Sequence, residues 1–430
     1  MFTKFEELPK IKLPYGVSDP KLSDSTMRDG AQMPGVVMKK THKLQIYEFL
    51  HQIGIEKTEV FLYNERDRIV AREMLNQGYK KPEVTGWARA NPKDIDLVLA
   101  MDGIRETGIL VSTSDIHIIH KLGIKREEAK KRYLDAIQYA VDHGLKVRCH
   151  LEDVTRSDIE GFTLPLVREI LKIAPDAIIR ICDTLNFGIP FPEADLPFGI
   201  PKVVKRLKEE GVKEVETHVH DDFGLSVANS LAGFWYGADW SNLTFLGIGE
   251  RAGNAELEKV LIFLCTRVEG FQKYNLSCLV KFAEFMEAEV GYRVPRNKSV
   301  VGRNIFAHES GIHTAGVIKY PFTYEPFPPE LVGATRRLLI GDSSGTEVVR
   351  LKVEEALEEL MGVKIKVDKN DPRIKEIHKE IQRLYDEEQR VSCISDEEIK
   401  AYVAKYFMLE TLIQREIDIL PENNLPENNK

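Results

Sequence analysis

The sequence predicts an α/β fold: a (β/α)8 TIM barrel followed by a mixed linker subdomain and a C-terminal helical subdomain. Eight short β-branched segments recur at intervals of roughly 30 residues, and amphipathic helical patterns that end at glycine separate them. This alternation implies parallel strands, and eight units over roughly 250 residues match the size of such a barrel, with a doubly wound sheet as the alternative. The predicted strands span residues 21–26, 56–62, 83–89, 106–113, 145–153, 177–184, 214–221 and 242–249.

Polar residues gather where the predicted strands end. MRDG follows the first strand, HLED lies at the end of the fifth, HVHDD at the end of the seventh, and GIGERAGN at the end of the eighth. Barrels of this class carry their chemistry at the carboxyl ends of the strands, so this clustering favours the barrel over the doubly wound sheet.

The rhythm of strand and helix stops near residue 270. A segment rich in glycine, proline and aromatic residues follows, and a charged amphipathic helical pattern comes after it. We therefore predict a catalytic barrel over 1–275, a linker or lid subdomain over 276–346 that carries HESGIH, a helical subdomain over 347–420, and a flexible tail over 421–430.

The composition is that of a folded globular protein, with 43% hydrophobic and 30% charged residues. A formal net charge of -8 has the wrong sign for a general nucleic-acid binder. The five cysteines show neither CxxC nor metal-finger spacing, so we expect no disulfide framework and a reducing, cytoplasmic location. Neither a signal peptide nor a membrane span is expected, because no apolar stretch has the required length.

Three residues predict a metal site at the mouth of the barrel. His218 and His220 are separated by one residue, so both imidazoles project from the same face of the seventh strand. Asp29 follows the first strand, which lies two places away in a closed barrel. Two neutral imidazoles and one carboxylate form a three-ligand site with open positions, as in catalytic metal centres. Asn254 could complete or support this site through its amide oxygen.

Two other motifs are excluded by their spacing. The loop 247–258 reads GxGxxxG instead of the dinucleotide fingerprint, so no nicotinamide cofactor is expected. His308 and His313 are five residues apart and Gly311 intervenes, which rules out the HExxH zinc protease helix. Each of these histidines is either a buried, hydrogen-bonded side chain or a general base.

Several basic residues lie near the predicted strand ends. Each could clamp a substrate carboxylate, or form a structural ion pair with Glu152, Asp153 or Asp183. These residues are Arg89, Arg148, Arg156 and Arg180.

Four segments, in order along residues 24–313, resemble signatures of a known family: DSTMRDGAQMPG, HVHDDFGLSVANSL, GIGERAGNAELE and GRNIFAHESGIH. The family comprises the metal-dependent 2-isopropylmalate, homocitrate and citramalate synthases, with hydroxymethylglutaryl-CoA lyase as a more distant relative. The resemblance implies an acyltransferase that converts acyl to alkyl on transfer, by Claisen condensation of acetyl-CoA with a 2-oxo acid.

The resemblance also implies roles for single residues. Asp29, His218 and His220 would bind a divalent metal, with Asn254 as a fourth or supporting ligand; Mn2+ is expected, with Co2+, Zn2+, Fe2+ or Mg2+ as alternatives. Arg28 would lie beside the keto oxygen. The predicted catalytic residues are Arg28, His313, Tyr324 and Glu152.

In this family His313 and Tyr324 would act as an acid/base pair that a neighbouring subunit delivers, so we expect a homodimer whose active site the partner completes. The expected binding partners are small molecules only. The predicted substrate-binding residues are Arg28, Gln32, Arg89, His150 and Thr184.

The middle of the chain resembles one branch of the family, the Re-face citrate synthases, in segments such as PEVTGWARAN, RCHLEDVTRSDIEGF and CDTLNFGIPFPEADLP. His150 replaces a small residue near the mouth, where an imidazolium would suit the second carboxylate of a dicarboxylic keto acid. Gly108 stands where isopropylmalate synthases tend to have histidine, and is expected to reshape the keto-acid pocket.

The expected reaction is therefore condensation of acetyl-CoA, oxaloacetate and water to citrate and CoA. The first alternative is a homocitrate, 2-isopropylmalate or citramalate synthase, which uses another 2-oxo acid. The second is a hydroxyacyl-CoA lyase, which the region after the barrel disfavours. A catalytically silent barrel is the alternative outside the enzymes.

Overall fold

The computed structural model describes residues 4–15, 17 and 19–408. The chain divides into two compact units. The first, the barrel unit, comprises Pro9–Gly302 and Glu330–Gly333; the second, the C-terminal unit, comprises Met1–Leu8, Arg303–Pro329 and Ala334–Lys430. The predicted tail over 421–430 lies outside the described residues, and the predicted boundaries at 275 and 346 stay predictions.

The barrel unit confirms the predicted (β/α)8 fold. Within the described residues, eight parallel strands follow one another around a closed barrel, and the last pairs with the first. Seven of them lie inside their predicted segments. The strands are β1 (Lys21–Asp24), β2 (Lys57–Val60), β3 (Glu83–Arg89), β4 (Glu106–Ser112), β5 (Lys146–Glu152), β6 (Ile178–Asp183), β7 (Glu214–Val219) and β8 (Trp240–Leu243).

Strand β8 begins two residues before the predicted 242–249 and ends at Leu243. The apolar residues that follow belong to a turn instead of the strand. Leu246 and Gly247 have φ values of 61° and 70°, which no extended strand contains. The hydrophobic pattern does not reveal a backbone reversal of this kind, so the sequence predicts a strand that continues to residue 249.

A helix follows each strand of the barrel and covers its outer face. In the first helix, Ile46, Leu50 and Ile53 are buried at intervals of three and four residues, and Gly54 ends the helix in the left-handed region with φ 91°. The helices are α1 (Lys40–Ile53), α2 (Glu65–Asn76), α3 (Pro92–Leu99), α4 (Arg126–Asp142), α5 (Leu164–Ile173), α6 (Ile200–Glu209), α7 (Ser226–Trp235) and α8 (Leu257–Arg267), with α9 (Leu279–Phe285) after them.

The interior of the barrel holds a chain of charged side chains that alternate in sign, which we call the interior ion chain. Arg180 on β6 lies near its centre, with Nε 2.6 Å from Glu216 Oε2 and Nη1 3.1 Å from Glu59 Oε2. Because β2 and β6 are not neighbours, the contact with Glu59 crosses the interior. In order, the members are Lys57, Glu106, Arg148, Glu216, Arg180, Glu59, Arg28 and Asp29.

Asp24, at the end of β1, makes the stability of the fold depend on pH. Burial raises the pKa of this carboxyl from 3.8 to about 7, although Thr26 donates two hydrogen bonds to it. Between these two values the folded state holds a proton that the unfolded state has lost, so the free energy of unfolding falls as pH rises. We expect Asp24→Asn to reduce this fall between pH 5 and pH 8, measured by urea denaturation; identical pH profiles of the two proteins would contradict it.

In its described residues, the C-terminal unit contains a short parallel pair and four α-helices. The apolar faces of the last three helices share one core, built around Val349, Val353, Ile374, Ile377 and Ile399. This confirms the predicted helical region after the barrel. The elements are β9 (Ala307–His308), α10 (Gly311–Lys319), β10 (Arg337–Leu338), α11 (Thr346–Met361), α12 (Pro372–Asp386) and α13 (Asp396–Val403). Among the residues described in the two units, no helix is long and apolar enough to cross a membrane.

Candidate active site

Three side chains predicted as metal ligands converge at the carboxyl ends of the strands. Asp29 follows β1, His218 lies in β7, and His220 comes directly after it. One potential ligand atom from each lies within 4.8 Å of the others, and all three residues are buried. Barrel closure brings these residues together, since only β8 separates β7 from β1.

Both imidazoles present the same ring nitrogen to this cluster. His218 Nδ1 donates to Asn242 Oδ1 at 2.8 Å, and His220 Nδ1 donates to the Gly253 carbonyl oxygen at 3.0 Å. Because both Nδ1 protons are committed, each Nε2 keeps a free lone pair. Burial lowers the pKa of both histidines below the ordinary value, so they are neutral near pH 7.

The carboxylate of Asp29 is ionised despite its burial. Burial raises its pKa, but Arg28 and the two histidines outweigh this effect and hold the pKa below its usual range. Asn254 Nδ2 also donates to Asp29 Oδ1 at 3.2 Å. The Asn254 Oδ1 atom is buried without a hydrogen-bond partner among the described residues. Two neutral imidazoles, one carboxylate and this unpaired amide oxygen fit a divalent cation.

Asn242 on β8 orients His218, and its amide is held in turn by Ser23 Oγ, which accepts from Asn242 Nδ2 at 2.8 Å. We expect Asn242→Ala to weaken Mn2+ binding by about 10- to 100-fold, because the ring loses the acceptor that sets its tautomer. Competition with a chromophoric chelator measures this. The matched control is Ser241→Ala, one residue earlier on β8, whose hydroxyl binds Thr217. Equal metal affinity in both variants would contradict the prediction.

Arg28 lies beside the cluster and is held on two sides. Its Nη1 lies 3.0 Å from Asp29 Oδ2, and its Nε lies 2.6 Å from Glu59 Oε1. The rings of Phe61 and Trp87 lie 5.8 and 5.7 Å from the guanidinium carbon. These contacts fix the orientation of the buried Arg28 guanidinium and leave some of its N–H donors available.

A cavity of about 240 Å3 opens over these groups. It is lined by four of the five predicted substrate-binding residues, Arg28, Gln32, His150 and Thr184. Glu152 also lines it. Its volume is suited to a small organic acid, and its walls are part polar and part aromatic. The lining residues are Arg28, Asp29, Gln32, Phe61, Trp87, Leu110, His150, Glu152, Cys182, Thr184, His218, His220, Glu250 and Arg251.

The predicted role of Arg89 in substrate binding is not supported. Its guanidinium forms two hydrogen bonds with Asp94, at 2.7 and 3.0 Å, and the residue does not line the cavity. Arg156 pairs with Asp153 at 2.8 Å. Arg148 and Arg180 belong to the interior ion chain. All four basic residues form ion pairs, but only Arg156 pairs with one of the three acids expected from the sequence, Asp153. The partners of Arg89, Arg148 and Arg180 are other acids.

The expected imidazolium at His150 is wrong. Burial, assisted by the nearby guanidinium of Arg180, lowers the pKa of His150 to about 4. The imidazole is therefore neutral near pH 7. The sequence could not predict this, because Arg180 lies 30 residues further along the chain and approaches only through the pairing of β5 with β6.

Glu152 is held by partners that the sequence did not indicate. Lys121 Nζ donates to Glu152 Oε1 at 2.7 Å, Ser112 Oγ donates to the same carboxylate, and His117 Nδ1 lies 3.2 Å away. Although burial opposes ionisation, these contacts lower the pKa of Glu152 to about 2. Thr184 Oγ1 accepts from the Asp153 amide at 2.9 Å.

In the C-terminal unit, His313 and Tyr324 are neighbours, with ring centroids 4.4 Å apart. Both side chains are exposed. His308 instead contacts Glu325, with Nε2 3.2 Å from Oε1. This hydrogen bond is compatible with either of the two roles predicted for His308.

Comparison with known proteins extends over both units. The HMGL-like family matches residues 19–289, and the homocitrate synthase post-HMGL domain-like family matches residues 300–389. A citrate (Re)-synthase of Clostridium kluyveri is 36% identical, covering 93% of this chain and 92% of its own length. The homocitrate synthase AksA of Methanothermobacter thermautotrophicus is 34% identical, covering 88% and 95%.

A solved hydroxymethylglutaryl-CoA lyase from Pseudomonas aeruginosa has the same fold, with a TM-score of 0.53 at 18% identity over 64% of this chain and 94% of that one. The match over residues 19–289 contains the whole barrel together with its cluster of Asp29, His218 and His220. The chain belongs to the HMGL-like family, among relatives that include citrate (Re)-synthase and homocitrate synthase.

Proposed function

We propose that this enzyme, a condensing acyltransferase that uses acetyl-CoA, joins the acetyl group to oxaloacetate and releases citrate and CoA, as a Re-face citrate synthase. The observation that carries the proposal is the buried cluster of Asp29, His218 and His220, beside Arg28, at the edge of a small cavity. The name of the Clostridium kluyveri relative supports oxaloacetate as the first substrate to test.

Asp29, His218 and His220 would hold a divalent cation, with Asn254 in support and Mn2+ as the first candidate. When bound, the cation supplies Lewis-acid polarisation of the keto oxygen and a template for the 2-oxo acid. Gln32, His150, Glu152 and Thr184 line the cavity and would position that acid.

Arg28 would stabilise the negative charge that develops on oxygen as the new carbon–carbon bond forms. The fixed guanidinium suits this task, because it needs no reorganisation when the charge appears. His313, assisted by Tyr324, would take the proton from the acetyl methyl group. The second subunit of a homodimer would supply both residues. Water then hydrolyses the citryl thioester and makes the condensation effectively irreversible.

One observation favours a second candidate. Phe61, Trp87 and Leu110 give the cavity an apolar side, and His150 beside them is neutral. Such a wall suits an uncharged side chain, as in pyruvate or 2-oxoisovalerate, better than a second carboxylate. The same chemistry would then make citramalate or 2-isopropylmalate.

The deciding experiment measures thiol release from acetyl-CoA by the Mn2+-loaded protein. Oxaloacetate, pyruvate, 2-oxoisovalerate and 2-oxoglutarate are offered separately, with an EDTA-treated sample as control. We expect release with oxaloacetate to be fastest, and labelled citrate then reports the face of attack. Preference for another acid would replace oxaloacetate and keep the condensation, whereas release with none of the four would overturn it.

A further inference from the structure

The ring of His150 on β5 fills the space that a side chain at Gly108 on β4 would occupy. A Cβ atom at position 108 would lie 2.5 Å from His150 Nε2 and 2.9 Å from His150 Cε1, closer than a side chain can approach a ring. It would also lie 3.0 Å from Glu59 Oε2. Gly108 is in an extended strand, so the backbone does not require glycine there. Glycine is required at this position because the imidazole of His150 fills the space that a side chain would need.

Three neighbours set the orientation of that imidazole. Trp87 Nε1 donates to His150 Nδ1 at 3.3 Å, and Arg180 Nη1 approaches the same nitrogen at 3.5 Å. Nδ1 is therefore the acceptor, and the ring proton sits on Nε2, which lies 3.4 Å from Glu59 Oε2. The ring is buried on this side and borders the cavity on the other.

An atom added at position 108 would displace the ring, and the expected displacement is toward the cavity, which the ring borders on its remaining side. Glu59 and Arg180 contact the two ring nitrogens and are themselves bound within the interior ion chain, so they resist displacement. Conversely, a small side chain at position 150 would open the cavity down to Gly108. The width of the cavity therefore depends on both positions together.

We propose that Gly108 and His150 form a size-matched pair, with Trp87 as its brace, that determines which 2-oxo acid the cavity accepts. This inference depends on the proposed function only in taking a 2-oxo acid as the occupant of the cavity. Pairing of β4 with β5 holds the two residues in place, with Leu110, another lining residue, opposite His150.

The test compares Gly108→Ala, His150→Ala and the double variant. Dissociation constants for pyruvate, oxaloacetate and 2-oxoglutarate are measured by calorimetry with Mn2+ present, so that no turnover is needed. We expect Gly108→Ala to weaken oxaloacetate relative to pyruvate by about tenfold, and His150→Ala to favour 2-oxoglutarate over oxaloacetate by about tenfold.

The double variant separates a pair from two independent sites. In the His150→Ala background, Gly108→Ala should change the ratio of oxaloacetate to pyruvate by less than about twofold, because the ring that it displaces is absent. The matched control is Gly86→Ala on β3, whose Cβ would meet Val98 at 2.8 Å outside the cavity; it should leave both ratios unchanged.

Equal effects of Gly108→Ala in both backgrounds, or unchanged ratios in both single variants, would overturn the pair. If Gly108→Ala fails to fold, His150→Ala and the double variant still test the pair. The quantity compared is then the ratio of the dissociation constants for 2-oxoglutarate and oxaloacetate. If the variants show the expected shifts in the ratios of dissociation constants but the wild type releases no CoA, the proposed reaction is wrong and the size-matched pair is retained. A wild type that binds none of the three would overturn both.

Discussion

We expect His218→Ala to lower the rate of CoA release by about a thousandfold, because several kcal/mol of metal assistance would be lost. The change removes one of the three donor atoms that lie within 4.8 Å of one another. It leaves Asp29 facing His220 alone, with Asn242 deprived of the ring that it orients. Metal content after gel filtration and thiol release together measure the effect.

The control for this variant is His143→Ala. His143 follows α4 on the surface, where its ring contacts the Tyr139 carbonyl oxygen. It should keep full metal content and rate. A His218→Ala protein that retained both stoichiometric Mn2+ and wild-type release would remove the cluster from the mechanism.

We expect Arg28→Met to lower kcat by about 100- to 1000-fold while the metal stays bound, because loss of one preorganised donor to a developing oxyanion typically lowers kcat by that factor. Methionine keeps much of the length of the side chain between Phe61 and Trp87 but supplies no positive charge. Glu59 keeps Arg180 as a partner, so its charge is not left alone. Steady-state kinetics at saturating substrates and metal analysis measure the effect.

Arg126→Met is the matched control. Arg126 is a partly exposed arginine that pairs with Asp115 and Asp158, and it does not line the cavity. Its removal should leave kcat within about twofold of the wild type, as for surface ion pairs of small value. An equal loss in both variants would mean that Arg28 has only a structural role.

The sequence predicted those features that depend on local pattern and on barrel closure. Strand and helix periodicity located seven of the eight strands and overlapped the last by two residues. The geometry of a closed barrel placed Asp29 beside His218 and His220. What escaped prediction depends on distant contacts. Glu59 and Arg180 are 121 residues apart in sequence yet meet inside the barrel. Burial and the guanidinium of Arg180 lower the pKa of His150 and keep its ring neutral, whereas Glu59 acts in the opposite direction.

Arg89 shows the same limit from the opposite direction. Its position at a strand end suggested a substrate clamp, but Asp94, five residues later, captures it. Local proximity of an acid and a base in sequence is compatible with either outcome. Only the direction of each side chain decides between them, and that direction depends on helix α3, which carries Asp94.

The interior ion chain also restricts how this enzyme can evolve. Deleting one member leaves the interior ion chain with one unbalanced buried charge, at a cost of up to about 3–5 kcal/mol. A whole domain has only about 5–15 kcal/mol of stability. Replacing an acid and its adjacent base together avoids that penalty. The interior ion chain thus imposes epistasis, because selection acts against a single substitution of one of its members. A new specificity that requires a change at Glu59 or Arg180 therefore requires paired substitutions.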